Sequence, residues 1–221
     1  MKLAIFIVGF DEKLVIRAGF KVGLQPGDIA LLVYSLSGDE YDRQKVSNAV
    51  SVLKNVFSTA GLTVKELALD ANNFGKDVSV LVGVLRGLSP ERLVMSVGSG
   101  MRYLGLVAIY ASLIYRELVR NVELTVHAAR EDGLYDVALN LETVRLSIGR
   151  SELRIICLVE NKMERDHVVK RASNRMEKSP STIYMLLQRM MKRGLIMLKN
   201  DTVELTPLGE ALQYVFCGDH R

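Results

Sequence analysis

In Arg92-Leu93-Val94-Met95-Ser96-Val97-Gly98-Ser99-Gly100-Met101-Arg102 a buried strand runs into a helix through a glycine–serine turn. The helix continues to Leu118, with fourteen of the eighteen residues from Met101 either apolar or glycine. Towards the N-terminus the same reading recurs three times. Leu3–Val8 and Ile29–Tyr34 are continuous apolar runs, as strands buried on both faces should be. Val64–Leu69 is a third strand. Helical spacing follows each of them, over Glu12 to about Gly23, over Asp42–Ala60 and over Phe74–Leu88. Four strands alternating with four helices through short connections predict a parallel sheet with right-handed crossovers and helices on both faces.

Beyond Leu118 the period changes. Val122, Leu124 and Val126 alternate with Glu123, Thr125 and His127, and Val137, Leu139 and Leu141 alternate with Ala138, Asn140 and Glu142. Glu131-Asp132-Gly133 is a turn signal between them, so an antiparallel hairpin is expected at one edge of the sheet. Ser147-Ile148-Gly149-Arg150-Ser151 reads as a junction, giving two domains, residues 1–147 and 148–221.

Composition narrows the class. The 221 residues are 49% hydrophobic and 24% charged, with a net charge of only +4. The surplus is local. Residues 1–150 hold 17 basic and 16 acidic residues, whereas residues 165–199 hold 9 basic and 2 acidic, a net of +7. The longest apolar stretch, Met101 to Leu118, is interrupted by Arg102, Ser112, Arg116 and Glu117 and is not expected to span a bilayer. The N-terminus lacks a signal-peptide cleavage site. The two cysteines, Cys157 and Cys217, lie in apolar helical patterns, and no disulfide is expected, in keeping with a reducing cytoplasm. His127, His167 and His220 do not cluster with the cysteines, so no metal site is expected.

The basic segment has its own order of elements. Helices are expected over Leu153–Val159 and Arg165–Ala172, followed by a turn through Ser173–Lys178. Ser179 caps a third helix with Pro180 at its first position. Ile183, Leu186, Leu187, Met190 and Met191 form its apolar stripe, and Gly194 ends it. Leu195–Lys199 and Thr202–Leu205 flank Asn200-Asp201, a two-residue hairpin turn, and Thr206 caps a last helix. Helices, hairpin, helix is the winged-helix order. Pro180-Ser181-Thr182-Ile183 running to Lys192-Arg193-Gly194-Leu195-Ile196, together with Leu205-Thr206-Pro207-Leu208-Gly209-Glu210-Ala211-Leu212, resembles the recognition helix, wing and closing step of MarR-like winged-helix regulators. With its stripe buried, the third helix presents Ser181, Thr182, Tyr184, Gln188, Arg189 and Lys192. Gln188 and Arg189 have bidentate reach to adenine and guanine edges. Arg175, Lys178, Lys192, Lys199 and Asn200 would meet phosphate, and Ser179 begins the helix whose amides favour it. Double-stranded promoter DNA is therefore the expected partner.

In a doubly wound sheet the first and fourth strands commonly neighbour each other, and ligands bind where their carboxyl ends diverge. Those ends are Gly9-Phe10-Asp11 and Gly98-Ser99-Gly100-Met101-Arg102, with Ser35-Leu36-Ser37-Gly38 nearby. No G-x-G-x-x-G follows the first strand, and Gly98-Ser99-Gly100 is not a P-loop. Arg102 opposes the helix dipole in a first turn, a conflict that a bound anion would relieve. The long helix has more apolar surface than one sheet face can cover, so Tyr103, Ile109, Tyr110 and Leu113 are expected against a second copy, in a homodimer.

The combination resembles the archaeal CRISPR-associated CARF-domain regulators, the Csa-type transcription factors of type I-A systems. The likeness is carried by Val8-Gly9-Phe10, Ser35-Leu36-Ser37-Gly38 and Val97-Gly98-Ser99-Gly100-Met101-Arg102. It implies a Rossmann-like CARF domain that pairs with a second copy and binds a cyclic oligoadenylate, usually cyclic tetra-adenylate, across the two-fold axis. It implies ligand contact at Gly9, Phe10, Asp11, Ser35, Ser37, Gly98, Ser99, Gly100 and Arg102. Asp11 has an alternative role as a cap for the helix starting at Glu12. No catalytic residue is expected. The rival readings are a ring nuclease that degrades the ligand, and a regulator of another small anion.

Overall fold

The computed structural model describes residues 1–98, 100–119, 121–129, 136–141, 144, 146–160 and 162–217. The chain forms two compact units, Met1–Asn73 with Val80–Leu146, and Ser147–Arg221 with Phe74–Ser79.

From Lys2 to Asn140 the chain alternates β1 (Lys2–Ile7), α1 (Glu12–Lys21), β2 (Ile29–Tyr34), α2 (Glu40–Thr59), β3 (Thr63–Ala68), α3 (Phe74–Leu88), β4 (Arg92–Val97) and α4 (Arg102–Leu118), then forms β5 (Glu123–Ala129) and β6 (Asp136–Asn140); all but the Phe74–Ser79 part of α3 belongs to the first unit. The sheet order is β3-β2-β1-β4-β5-β6. β1 pairs in parallel with both β2 and β4, Ile5 lying opposite Leu31 on one side and Met95 on the other. Only β5–β6 is antiparallel. The expected α/β architecture with an antiparallel edge is therefore present, with its switch point between β1 and β4. The expected hairpin turn, Glu131-Asp132-Gly133, lies outside the described residues.

The apolar runs of β1 and β2 are buried on both faces. One face carries Ala4, Phe6, Ala30 and Leu32, which pack with Val15 and Ala18 of α1 and with Val50, Leu53 and Phe57 of α2. The rings of Phe6 and Phe57 lie 5.2 Å apart. On the other face α4 packs against β1 and β4. Two expectations change here. Leu113 is buried within its own unit at 7% exposure, and Leu106 is the large apolar side chain of α4 that stands exposed, at 53%. His127, expected on a polar face, is buried, because α1 packs beside β5.

The second unit comprises α5 (Arg150–Ile156), β7 (Lys162–Glu164), α6 (Arg165–Met176), α7 (Pro180–Lys192), β8 (Ile196–Lys199), β9 (Thr202–Leu205) and α8 (Pro207–Cys217). β7, β9 and β8 form a three-stranded antiparallel sheet. Strand β7 is absent from the sequence reading. α6 continues through Met176, where a turn from Ser173 was expected, because Met176 is buried and extends the stripe of Val168, Val169 and Ala172. Glu177, left-handed at φ 52°, ends it. Asn200 and Asp201, at φ 46° and 61°, make the two-residue turn that the β8–β9 hairpin requires.

The expectation of reduced cysteines is overturned. Cys157 and Cys217 form a disulfide with their Cα atoms 5.6 Å apart, across 60 residues of sequence. The cause is the packing of α5 on α8, in which the Gln213 amide donates to the carbonyls of Ile156 (2.8 Å) and Val159 (2.7 Å). That packing brings the two helix C-termini together.

No helix among the described residues is long and apolar enough to cross a membrane.

Candidate functional site

At the switch point the chain leaves no room for side chains between two loops. A Cβ on Gly9 would stand 2.6 Å from the Gly100 Cα. A Cβ on Gly100 would meet Ile7 Cγ2 at 2.8 Å and the Val8 carbonyl at 3.0 Å, and Gly100 is also left-handed at φ 72°. Both positions therefore require glycine. The outcome is a floor of exposed backbone flanked by β1 and β4, with Phe10 and Met101 standing at its rim, 57% and 42% exposed.

Around this floor the expected residues fall into three groups. Gly9, Phe10, Gly98, Gly100 and Arg102 lie on the two loops that diverge from β1 and β4. Ser99 lies outside the described residues. Ser35 and Ser37 belong to the neighbouring β2–α2 loop, where the buried Ser35 hydroxyl donates to Ser37 Oγ (2.9 Å) and accepts from the Ser37 amide (3.1 Å). Ser37 Oγ approaches Met101 Sδ at 3.9 Å, which ties that loop to the switch point. Asp11 is the cap of α1, accepting from the Lys13 amide at 2.9 Å.

The helix ends differ in charge and satisfaction. α1 and α2 carry the carboxylate caps Asp11 and Asp39. α4 begins at Arg102 with no side-chain cap and no acidic residue in its first turn. Its N-terminal amides and an exposed guanidinium thus face the same end of the sheet. That is the electrostatics of an anion site. Beside Phe10 lie two residues that the sequence reading passed over. Lys45 Nζ stands 4.1 Å from the ring centroid of Tyr41 and 5.4 Å from that of Phe10. Tyr41 and Lys45 are four apart on α2, the spacing of helix-surface neighbours, and that spacing was the available signal.

In the second unit α7 is positioned by its ends. Ser179 Oγ accepts from the Thr182 amide (3.3 Å) and contacts the hydroxyls of Ser181 (2.9 Å) and Thr182 (2.8 Å), so the small hydroxyls form one cluster at the helix start. Gln188 and Lys192 are exposed, as are Arg175 and Lys178 at the end of α6 and Lys199 and Asn200 at the hairpin. Tyr184 is engaged: its hydroxyl donates to Asp166 at 2.7 Å, and that bond holds the phenol above its ordinary pKa. Arg189 is engaged as well. Its Nε lies 3.1 Å from Glu152, a carboxylate only 1% exposed, which also takes Arg193 at 3.0 Å and the Gly149 amide at 2.7 Å. Arg193 donates further to the Ser147 carbonyl at 2.9 Å. The sequence reading missed Glu152, since nothing in its spacing marks it as buried.

No group of three or more histidine, cysteine, aspartate or glutamate side chains suited to a metal occurs among the described residues. His127, buried on β5, has no partner for Nδ1 among them.

Comparison with solved structures finds Can2 from Sulfobacillus thermosulfidooxidans in complex with cyclic tetra-adenylate, at a TM-score of 0.47 and 8% identity, covering 97% of this chain and 63% of that one. It also finds Enterococcus italicus Csm6 bound to cyclic hexa-2'-fluoro-hexa-dAMP, at 0.44 and 12%, covering 87% and 55%. The chain thus spans less than two thirds of either neighbour. No curated protein sequence matches it. Comparison with protein families matches residues 2–138, the whole run from β1 through most of β6, to the Csa3 CRISPR-associated Rossmann-like domain. Since that match takes in the parallel sheet, its antiparallel edge and the three loops at the switch point, the chain belongs to the Csa3 family of CRISPR-associated Rossmann-like proteins.

Proposed function

We propose that the chain is a CRISPR-associated transcriptional regulator. Residues 1–147 act as a homodimeric sensor of a cyclic oligoadenylate, with cyclic tetra-adenylate as the ligand. Residues 148–221 act as a MarR-like winged helix-turn-helix that binds double-stranded promoter DNA, and the protein works in the cytoplasm. The observation that carries the sensor reading is the glycine-lined floor at the switch point, with the uncapped α4 and Arg102 beside it. A ring of alternating phosphates placed on a two-fold axis would use each copy of that floor, so one guanidinium per chain supplies two per ligand. The DNA reading is supported by the order α5, β7, α6, α7, β8, β9, α8 and by the net +7 over residues 165–199, which falls on α6, α7 and the hairpin.

Within this reading Gln188 and Lys192 are the cleaner probes of DNA contact. Arg189 also holds a buried carboxylate, so its removal perturbs the unit itself. The test is a mobility-shift titration of the full chain on duplex from its own CRISPR promoter at fixed salt, with and without cyclic tetra-adenylate. The ring should change duplex affinity at least several-fold, and Lys192→Ala should lower the salt slope by about one. Indifference to the duplex, or equal affinity with and without the ring, would overturn the coupling. The recovered ring decides the remaining alternative: intact ligand fits a sensor, linear product a ring nuclease.

A further inference from the structure

Phe10 and Tyr41 are large rings in water. They are 57% and 67% exposed, on different elements, and neither belongs to the core. A cation–π contact at an exposed site stabilises less than a large aromatic side chain forgoes by standing in water instead of the core. Lys45 between the rings therefore does not explain why they stand there. What the cluster offers is a pair of π-faces around one ammonium. A nucleotide presents the matching pair, a purine face and a phosphate.

The location fits the same ligand. Phe10 directly follows Gly9, whose backbone abuts Gly100. Tyr41 and Lys45 lie on the first turns of α2, whose preceding loop reaches Met101 through Ser37. The carboxylates that cap α1 and α2, Asp11 and Asp39, accept from amides of their own helices. Arg43, between Tyr41 and Lys45 in sequence, donates to the Gly38 carbonyl at 3.1 Å and ties the loop before α2 to the helix that carries them.

We propose that Phe10, Tyr41 and Lys45 form a subsite that stacks one purine base on an aromatic ring and contacts an adjoining phosphate with the lysine, setting the preference for adenylate rings over other small anions. The proposal rests on the sensor reading and adds Tyr41 and Lys45 to the residues that recognise the ligand. On binding, Lys45 exchanges ring faces for phosphate, and a base takes its place.

The test is calorimetric titration of the full chain with cyclic tetra-adenylate. Tyr41→Ala and Lys45→Ala should each weaken binding about tenfold, in line with the loss of one base stack or one phosphate contact. Tyr41→Phe should bind within about threefold of wild type, since the π-face survives. Lys45→Ala should also flatten the salt dependence by roughly one charge. Both positions are exposed, so thermal midpoints should not move. If wild type binds the ring and both alanine variants bind equally well, the subsite falls while the sensor stands. If Tyr41→Phe loses as much as Tyr41→Ala, stacking is wrong. A wild-type chain that ignores the ring overturns both readings.

Discussion

Glu152 sits at 1% exposure with two guanidiniums and one amide around it. A lone carboxylate there would carry a large desolvation cost, so the partners are obligatory. Through Glu152 the start of α5, the Ser147–Gly149 segment and the last turn of α7 are tied together. Arg193 does more than neutralise a helix C-terminus, because it bonds both Glu152 and the Ser147 carbonyl. A second buried polar group, His127, has no partner for Nδ1 among the described residues. Burial first, then the positive charges of Lys21 and Arg17, hold its imidazole below the ordinary pKa. An unfolded histidine titrates at about 6.5. Between that value and the depressed folded one, the unfolded chain binds more protons than the folded one. The stability of the first unit should thus be complete above about pH 6.5 and decline as pH falls through that window. Urea unfolding at pH 7.5 and pH 5 should show the decline in wild type and a smaller one in His127→Leu. An equal decline in both would remove His127 as its source.

At the scale of elements, strands and helices with strong periods were legible. β2, α3 and β4 run where their apolar patterns put them, and the β1–β4 neighbour relation follows from the general rule for doubly wound sheets. What was hidden depends on contacts distant in sequence. β7 is three residues long and exists only through pairing with β9. Ser173 to Met176 read as a turn because Ser, Asn and a following Lys-Ser-Pro mask the stripe that Met176 completes. The loops of the site were readable from glycine and serine, but their geometry was not. That Gly9 and Gly100 touch is a fact of the sheet, and that Asp11 serves a cap is a fact of α1. Lys45 and Tyr41 escaped because an ordinary exposed helix face explains them equally well until Phe10 is placed beside them. The disulfide was hidden because both cysteines lie in apolar helical patterns, and only the packing of α5 on α8 brings them together across 60 residues. Closing a loop of that size restricts the unfolded chain and is worth about 4 kcal/mol in the chain-entropy account. Cys157→Ser should lower the stability of the second unit by about 2–4 kcal/mol. Reductant should do the same to wild type and nothing to the variant, in thermal unfolding monitored by circular dichroism. A wild-type midpoint indifferent to reductant would contradict this.

For the whole molecule, charge and apolar surface are divided between the two units. The first is nearly neutral, with a glycine-lined backbone floor at the switch point and an exposed Leu106 on α4. The second carries the positive surplus. In the proposed regulator the ligand can shift DNA affinity only by as much as it prefers one arrangement of the dimer, and DNA must shift ligand affinity by the same factor. Both effects depend on the ring occupying a site built by two chains. Calorimetric titration of the full chain with cyclic tetra-adenylate measures this directly. The account predicts one ring bound per two chains, with affinity falling at least about tenfold in Arg102→Ala. A stoichiometry of one ring per chain, or no heat of binding at all, would contradict it.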